Sequence, residues 1–352
     1  MQDHTDFVVS ADSIYTLQGL VSLALRIKDG RIHSMGDVHA YDHITCHHFA
    51  GCTISPCFCD HHLHFFHRPS SEEKKGIDDL IGHGVAYAWD GGGPDGHGLV
   101  VRDKVKGTLF LRSAGSGLYK KGSYGKQIGT AVDSVREAKK AIDRLAEEGA
   151  DYIKIVNSGI FLPETGKIST GGFLFKELDR IIEYARRKSL EVFCHANGKQ
   201  AVEDAVIAGA DAIIHGLDVS DETLGIMSER GVAFIPTVYA FESLRKISKS
   251  GQALKNIDQA VGRHLSAIKK AEERGVKILA GSDAGPSFIP YGESYFSELT
   301  MFRKAGLSMQ GILSSAAQGY IQKGMKADLL VLDGLAVKKI FIGGAPVAVR
   351  TL

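Results

Sequence analysis

The 352-residue chain has few cysteines, little net charge and no long hydrophobic run. Its five cysteines are sparse and odd in number, which argues against a disulfide framework and favours a reducing cytoplasm. The net charge is +1 with both signs mixed along the chain, so we expect no nucleic-acid or membrane-surface partner. No apolar run approaches the roughly 20 residues that span a bilayer. The polar first residues also lack a signal-peptide profile, so the sequence predicts a cytoplasmic protein.

The composition and the order of patterns predict one large α/β domain with an addition. Hydrophobic residues make up 44% of the chain, which is ample for a large core. The length is normal for an α/β barrel that carries a second, smaller unit. We find no repeat array, low-complexity tract or linker. The expected partner is a small-molecule substrate, and a homo-oligomer is left open.

Eight strand-like runs are separated in several places by amphipathic helical patterns. Helices are predicted around 135–145, after the cap-like Asp133, and around 174–185. Alternation of strands and helices predicts a parallel sheet, and eight units predict a (β/α)₈ TIM barrel. The eight runs are residues 52–59, 84–89, 108–111, 152–156, 191–194, 212–214, 232–235 and 276–280.

Both ends of the chain are rich in short β patterns that lack a covering helix. Residues 7–55 contain such runs, and Lys28 to Arg31 reads as a hairpin turn. The tail returns to β patterns at residues 327–334 and 340–342. Neither end can bury a core alone, so we predict that they pair into one small β-sandwich. The predicted domains are 1–55 and 319–352 for the two parts of the sandwich and 56–318 for the barrel.

The most informative segment is residues 60–64, which follow an apolar run. In an extended backbone, His62 and His64 point to the same side, and two converging imidazoles suit zinc. Asp60 could orient a ligand or handle protons, whereas His61 is expected on a solvated loop. Cys57 and Cys59 are expected to be small buried hydrophobic residues rather than metal ligands.

Further polar residues stand at the ends of later strands, where barrel enzymes place their chemistry. They are His195, His215 and Asp283, together with Lys154 between two isoleucines. A buried lysine loses its proton readily, and its neutral amine can react with carbon dioxide to give a carbamate that bridges two cations. The alternative for Lys154 is an ion pair with a neighbouring acid.

These segments resemble the amidohydrolase superfamily, and they follow one another in that family's order. The most similar branch contains the Xaa-Pro and Xaa-Arg dipeptidase-like enzymes, which are related to prolidase and imidazolonepropionase. The resemblance implies a binuclear zinc centre with a carbamylated Lys154 as the bridge. It would place the first ion on His62, His64 and Asp283 and the second on His195 and His215. The matching segments are 56–64, 151–155, 195–198, 213–216, 281–284 and 324–334.

The expected reaction is hydrolysis of an amide C–N bond, as in a dipeptide, an N-acyl amino acid or a cyclic amide. Two cations would lower the pKa of a bridging water, and Asp283 would accept its proton and pass it to the leaving amine. Arg112, Tyr119 and Tyr239 are candidates for binding a substrate carboxylate or the developing oxyanion. The glycine-rich loop 157–173 is a candidate lid.

Three other functions fit the same barrel. A lactone or ester hydrolase would use the same centre. A mononuclear deaminase would carry a glutamate three residues after the strand-5 histidine, where this chain has Gly198. A non-catalytic scaffold would have lost ligands, whereas all six positions are filled here. The sequence departs from the family pattern at Cys57, where a glycine is usual, and at Tyr291–Gly292, where a His-Gly pair is common.

Overall fold

The computed structural model describes residues 6–350, which form nineteen strands, ten α-helices and two 3₁₀ helices. The strands are β1 (Asp6–Thr16), β2 (Gly19–Val21), β3 (Ala24–Lys28), β4 (Arg31–Gly36), β5 (Cys46–Pro56), β6 (Phe58–Leu63), β7 (Val85–Asp90), β8 (Phe110–Ser113), β9 (Gly117–Lys120), β10 (Gly129–Val132), β11 (Ile153–Val156), β12 (Phe161–Leu162), β13 (Lys167–Ile168), β14 (Val192–Ala196), β15 (Ala212–His215), β16 (Ala233–Ile235), β17 (Leu329–Asp333), β18 (Ala336–Ile342) and β19 (Ala345–Val347). The α-helices are α1 (Ser70–Gly82), α2 (His97–Lys104), α3 (Val135–Glu147), α4 (Phe175–Arg187), α5 (Lys199–Ala208), α6 (Asp221–Arg230), α7 (Val238–Ser243), α8 (Gly251–Glu273), α9 (Glu293–Ala305) and α10 (Met309–Ala316). The 3₁₀ helices are Val38–Tyr41 and Leu244–Lys246.

Strands from both ends of the chain share one eight-stranded sheet. Its order is β19-β18-β17-β5-β1-β3-β4, and β2 pairs with β1 off this path. The tail joins the N-terminal part where β17 runs antiparallel to β5, with Leu332 opposite Thr53. The predicted hairpin is confirmed between β3 and β4, where Asp29 and Gly30 both have positive φ. That this sheet folds over into a two-layer sandwich remains a prediction.

The parallel strands form a ring that is consistent with a TIM-barrel-like domain. One parallel sheet has the order β6-β7-β8, and the other has the order β10-β9-β11-β14-β15-β16. The N–H of Asp151 donates to the carbonyl of Ser113 and joins the two sheets on one side. On the other side, the segment after α8 bridges β16 at Ile278 and β6 at Ala284, both in parallel. The sequence did not predict β9 and β10.

The eighth predicted strand is irregular: within residues 276–280, the structure has a single isolated bridge, from Ile278 to Phe234. Gly281 continues this segment very close to β6, since a Cβ at Gly281 would lie 3.1 Å from the backbone nitrogen of His62. Asp283 then takes a left-handed backbone conformation with a φ of 55°. A regular strand could not make that turn, so the segment departs from the ladder where it carries a candidate ligand.

The predicted single strand over 52–59 is two strands in different sheets. The end-sheet strand β5 runs through Pro56, and the barrel strand β6 begins at Phe58, so the barrel does not start at Thr53 as predicted. Cys57 donates its N–H to Asp328 of the tail, whereas Phe58 donates to Gly84 at the start of β7. The backbone partners therefore change at Cys57, which is fully buried as expected.

The helical predictions are confirmed for α3 and α4, whose buried faces carry most of the expected apolar residues, but Leu174, expected on the buried face of α4, precedes the helix and is exposed. Ser134, rather than Asp133, caps α3 by accepting the N–H of Glu137. In β17, Leu330 and Leu332 pack into the barrel core, whereas Leu329 and Val331 pack into the core of the end sheet. Across residues 6–350, no helix combines the length and apolarity needed to cross a bilayer.

Candidate metal and substrate site

Three candidate ligands meet at one end of the barrel. The Nε2 atoms of His62 and His64 lie 3.4 and 3.6 Å from Oδ1 of Asp283. Among residues 6–350, these three side chains form the group whose ligand atoms lie within 4.8 Å of one another. Ligand atoms held about 2.1 Å from a tetrahedral zinc ion lie about 3.4 Å apart, so the spacing suits a shared cation.

The hydrogen bonds of His64 add a second argument for a cation. Its Nδ1 lies 2.8 Å from the carbonyl oxygen of Gly92, which can only accept, so Nδ1 carries a proton. Burial lowers the pKa of His64, which favours the neutral ring and leaves a lone pair on Nε2. That lone pair faces the Asp283 carboxylate at more than hydrogen-bond distance. Two acceptors that face each other in a buried site fit a cation placed between them.

Asp60 holds two of the ligand-bearing segments together. Its Oδ1 accepts the N–H groups of His62 and Ser282, and its Oδ2 accepts the Ser282 hydroxyl. The N–H of Asp283 donates to the carbonyl of His62 at 2.7 Å. Asp60 therefore holds the backbone of His62 and of the segment before Asp283 in place. His61, expected on a solvated loop, is instead buried because its ring packs on Trp89 and its Nδ1 contacts the carbonyl of Ala280.

His195 and His215 stand next to this group, with ring centroids 4.5 Å apart. The ring of His215 lies 5.7 Å from that of His62, and its Nδ1 contacts the Thr237 hydroxyl at 2.7 Å. The Nε2 of His195 donates to the carbonyl of Gly159 at 3.0 Å, so its Nδ1 carries the lone pair. Burial lowers the pKa of His195 to about 4 and holds that of His215 well below its usual range, so both rings are neutral, the form that binds metal.

Lys154 is fully buried in β11 beside the same histidines. Its Nζ lies 3.5 Å from Nε2 of His62. Burial lowers the pKa of Lys154 to about 7, so much of this amine is neutral near physiological pH. Within residues 6–350, no carboxylate forms an ion pair with it. The ion-pair alternative is therefore not observed.

The backbone is strained at several of these positions. His215, Thr237 and Asp283 have φ values of 67°, 47° and 55°, in the left-handed region that residues other than glycine rarely adopt. Such conformations cost about 1–3 kcal/mol each and persist only where surrounding contacts enforce them. Here the surrounding contacts orient the candidate ligands His215 and Asp283, and Thr237, which contacts His215.

Two adjoining cavities open onto the candidate ligands. The first, of about 320 Å³, is lined by His62, His64, Lys154, His215 and Asp283, among others. The second, of about 170 Å³, shares His215 and Asp283 and also reaches His195. We name the second the apolar cavity, because most of its wall is hydrophobic: Ile160, Phe161, Phe241, Leu244, Phe288 and Ile289.

The structure does not bring the three predicted substrate-binding residues to either cavity. The Arg112 guanidinium donates to the carboxylate of Glu191, just before β14, and lies over the ring of Trp89. Tyr119 packs in a small cluster with Ile128. Tyr239 donates its N–H to Glu298 and lies under the Lys246 ammonium.

Other residues line the site instead, and the sequence reasoning missed them. The ring of Tyr124 lines both cavities and lies 5.5 Å from that of His195. Asn197 contributes to the apolar cavity, and its Oδ1 accepts the N–H of Leu217. Tyr124 lies between two glycines after a strand, and that loop signal could have identified it.

The predicted lid loop is an ordered hairpin, formed by β12 and β13. Its tip is tied to α8, because Asn256 donates to the carbonyl of Pro163 at 2.8 Å and Ser250 donates to Glu164 at 2.7 Å. Ile160 and Phe161, at the start of the hairpin, line the apolar cavity. The hairpin therefore forms one wall of the site, and its motion as a lid stays a prediction.

Comparisons with known proteins match most of the chain. A family model described as "Amidohydrolase family" matches residues 53–350. Ochratoxinase of Aspergillus niger is 25% identical over 236 residues, which cover 62% of this chain and 48% of that protein; the match thus spans about half of the relative's length. Imidazolonepropionase of Thermoanaerobacter pseudethanolicus is 20% identical over 351 residues, covering 88% and 83% of the two chains. The crystal structure of a Xaa-Pro dipeptidase with bound methionine in the active site superposes with a TM-score of 0.81 at 19% identity, covering 97% of this chain and 100% of that one.

Proposed function

The chain belongs to the amidohydrolase family, and on this premise we propose that it is a metal-dependent hydrolase of an amide C–N bond. The observation that carries the proposal is the set of His62, His64 and Asp283, whose ligand atoms lie within 4.8 Å of one another, with the proton of His64 held on Nδ1, away from Asp283. The neutral rings of His195 and His215 next to this set support a second metal position.

Zinc is the proposed metal, with about two ions per chain. His62, His64 and Asp283 would hold the first ion, and His195 and His215 would hold the second. Lys154 would bridge them as a carbamate: its neutral Nζ forms a bond to the carbon of carbon dioxide and releases one proton to solvent. Its burial and lowered pKa support this reaction.

The bound metal would supply Lewis-acid polarisation of the carbonyl and a water of lowered pKa. The protein's own part falls mainly to Asp283, which would accept the proton of the attacking water and pass it to the leaving amine. Its position beside both cavities suits this exchange. Asp60 and Thr237 would keep His62 and His215 in place during the reaction.

The test combines metal analysis with one conservative substitution. Elemental analysis of the purified protein should find about two zinc ions per chain. Asp283→Asn should stay folded and keep much of its metal, while turnover falls about 10²-fold or more because the base is lost. Asp12→Asn, the same change at an exposed position of the end sheet, is the matched control and should not alter the rate. Turnover of Asp283→Asn within a few-fold of wild type would contradict the proposal.

The setting of this activity is also proposed. All five cysteines are free, four of them buried, which supports a reducing compartment such as the cytoplasm. The proposed partner is a small-molecule substrate, and a homo-oligomer stays an open prediction.

A further inference from the structure

We propose that the apolar cavity binds an uncharged aryl or branched alkyl group of the substrate, directly beside the scissile bond. This inference rests on the proposed function, since it names the substrate class of the same site. The inference favours amides that place a neutral hydrophobic group in the apolar cavity. It disfavours dipeptides that would have to place a free carboxylate in the same cavity.

The lining of the cavity carries the first step. Within residues 6–350, no lysine or arginine lines this cavity. Among the described residues, Asp283 is the one acid in the wall, and it is a proposed ligand of a metal ion; the remaining polar groups are imidazoles, an amide and a phenol, none of which offers a fixed positive charge to a carboxylate. Burial of an unpaired carboxylate is costly, so a substrate with its charge in this cavity would bind poorly.

Two cationic residues next to Leu244 in the sequence, Arg245 and Lys246, are already engaged outside the wall. Lys246 donates to the carbonyl of Phe288 at 3.1 Å, and its ammonium lies over the ring of Tyr239. Arg245 pairs with the carboxylates of Glu242 and Asp258. Recruiting either residue to a substrate carboxylate would break existing contacts. The charges around the cavity therefore favour a neutral occupant.

The size and rigidity of the cavity define the occupant further. Its volume of about 170 Å³ is close to the roughly 150 Å³ of an apolar cavity that accepts one benzene molecule. The ring of Phe241 is held between those of His215 and His264, at 6.2 and 5.3 Å, and meets Phe161 edge to face at 6.2 Å. A wall fixed on several sides is preformed for a flat or compact group.

The position of the cavity ties this group to the reaction. His195, His215 and Asp283 form part of its wall. A group in the cavity thus sits within one or two bonds of the carbonyl that would be attacked. Hydrophobic binding at this distance should favour the transition state through orientation and raise kcat/KM.

The experiment uses two pairs of substrates that differ by one carboxylate. The first pair is N-acetylaniline and N-acetyl-4-aminobenzoate, and the second is benzamide and 4-carbamoylbenzoate. In at least one pair, kcat/KM for the neutral member should exceed that of the charged member about 10²-fold, as expected for an unpaired buried charge. Calorimetric binding of aniline and 4-aminobenzoate to the metal-loaded protein gives a readout that needs no turnover.

A variant tests the cavity wall directly. Leu244→Arg places a cation in the half-buried wall and should reduce or reverse the preference for neutral compounds in both readouts. Leu162→Arg, the same change on the exposed side of the hairpin outside the cavity, is the control and should keep the wild-type preference. Equal or faster hydrolysis of the charged members by wild type would overturn the inference and leave the proposed function intact. Absence of hydrolysis in a broad amide panel would overturn the proposed function. In that case the binding measurement would still test the inference, which stronger binding of 4-aminobenzoate than of aniline would overturn.

Discussion

Leu330→Ala, a change in the tail strand β17, should destabilise the barrel although Leu330 is not part of it. Leu330 is fully buried, and a Cβ at Gly84 would collide with its Cδ2, so the two residues are in direct contact. Gly84 leads into the barrel strand β7. The substitution removes a branched side chain from the barrel core and should cost about 3–5 kcal/mol, the range for buried leucines that leave a cavity.

The single tryptophan of the chain makes this effect measurable. Trp89 lies in β7 and packs on His61 and Phe193 inside the barrel. Its fluorescence therefore follows unfolding of the barrel, whereas far-ultraviolet circular dichroism follows the whole chain. In urea titrations, the Leu330→Ala variant should shift both transitions together, because β17 is buried on both faces.

The control is Leu17→Ala, the same substitution at a leucine that is 66% exposed in the turn between β1 and β2. It should change the free energy of unfolding by less than about 0.5 kcal/mol. If Trp89 fluorescence in Leu330→Ala kept the wild-type midpoint while the dichroism transition split in two, the end sheet and the barrel would unfold independently. That result would refute the reasoning.

Two further predictions concern buried titratable groups. Lys154→Ala should lose the second metal ion and nearly all activity, and short carboxylic acids should restore part of both; full metal content with a normal rate would contradict the bridging role. Burial lowers the pKa of His264 to about 4. Below pH 6.5 the unfolded chain therefore binds a proton at this residue, whereas the folded chain does not take it up until about pH 4. The free energy of unfolding should accordingly fall by up to about 3 kcal/mol as the pH drops from 6.5 to 4. His264→Gln keeps a donor for the carbonyl of Pro236 and should flatten the fall in unfolding free energy between pH 6.5 and 4; an unchanged pH profile would show that His264 does not contribute.

Sequence patterns identified the residues that meet at the site because those residues carry local signals. His62 and His64 have strand spacing, and Asp283 follows an apolar run, so each could be placed at a strand end without knowledge of the tertiary contacts. The structure brings these three together. Lys154 was recognisable because a lysine between two isoleucines has no solvent to reach.

The substrate-facing residues could not be placed in this way. Arg112 also follows an apolar run, but its long side chain turns back to Glu191, and this contact depends on the distance between two strands. Phe161 and Phe241 come from a hairpin and a short helix whose positions depend on packing against α8 and α9. The change of sheet at Cys57 was likewise hidden, since a continuous β pattern does not reveal that its backbone partners differ on the two sides.

The left-handed backbone at His215, Thr237 and Asp283 places stability and activity in conflict. Glycine would adopt these conformations without steric strain, but it would remove an imidazole, a supporting hydroxyl or a carboxylate. Selection for thermal stability alone would thus favour substitutions that dismantle the site. Screens that improve this protein should therefore require turnover in every round, since the most readily stabilised descendants would be folded and inactive.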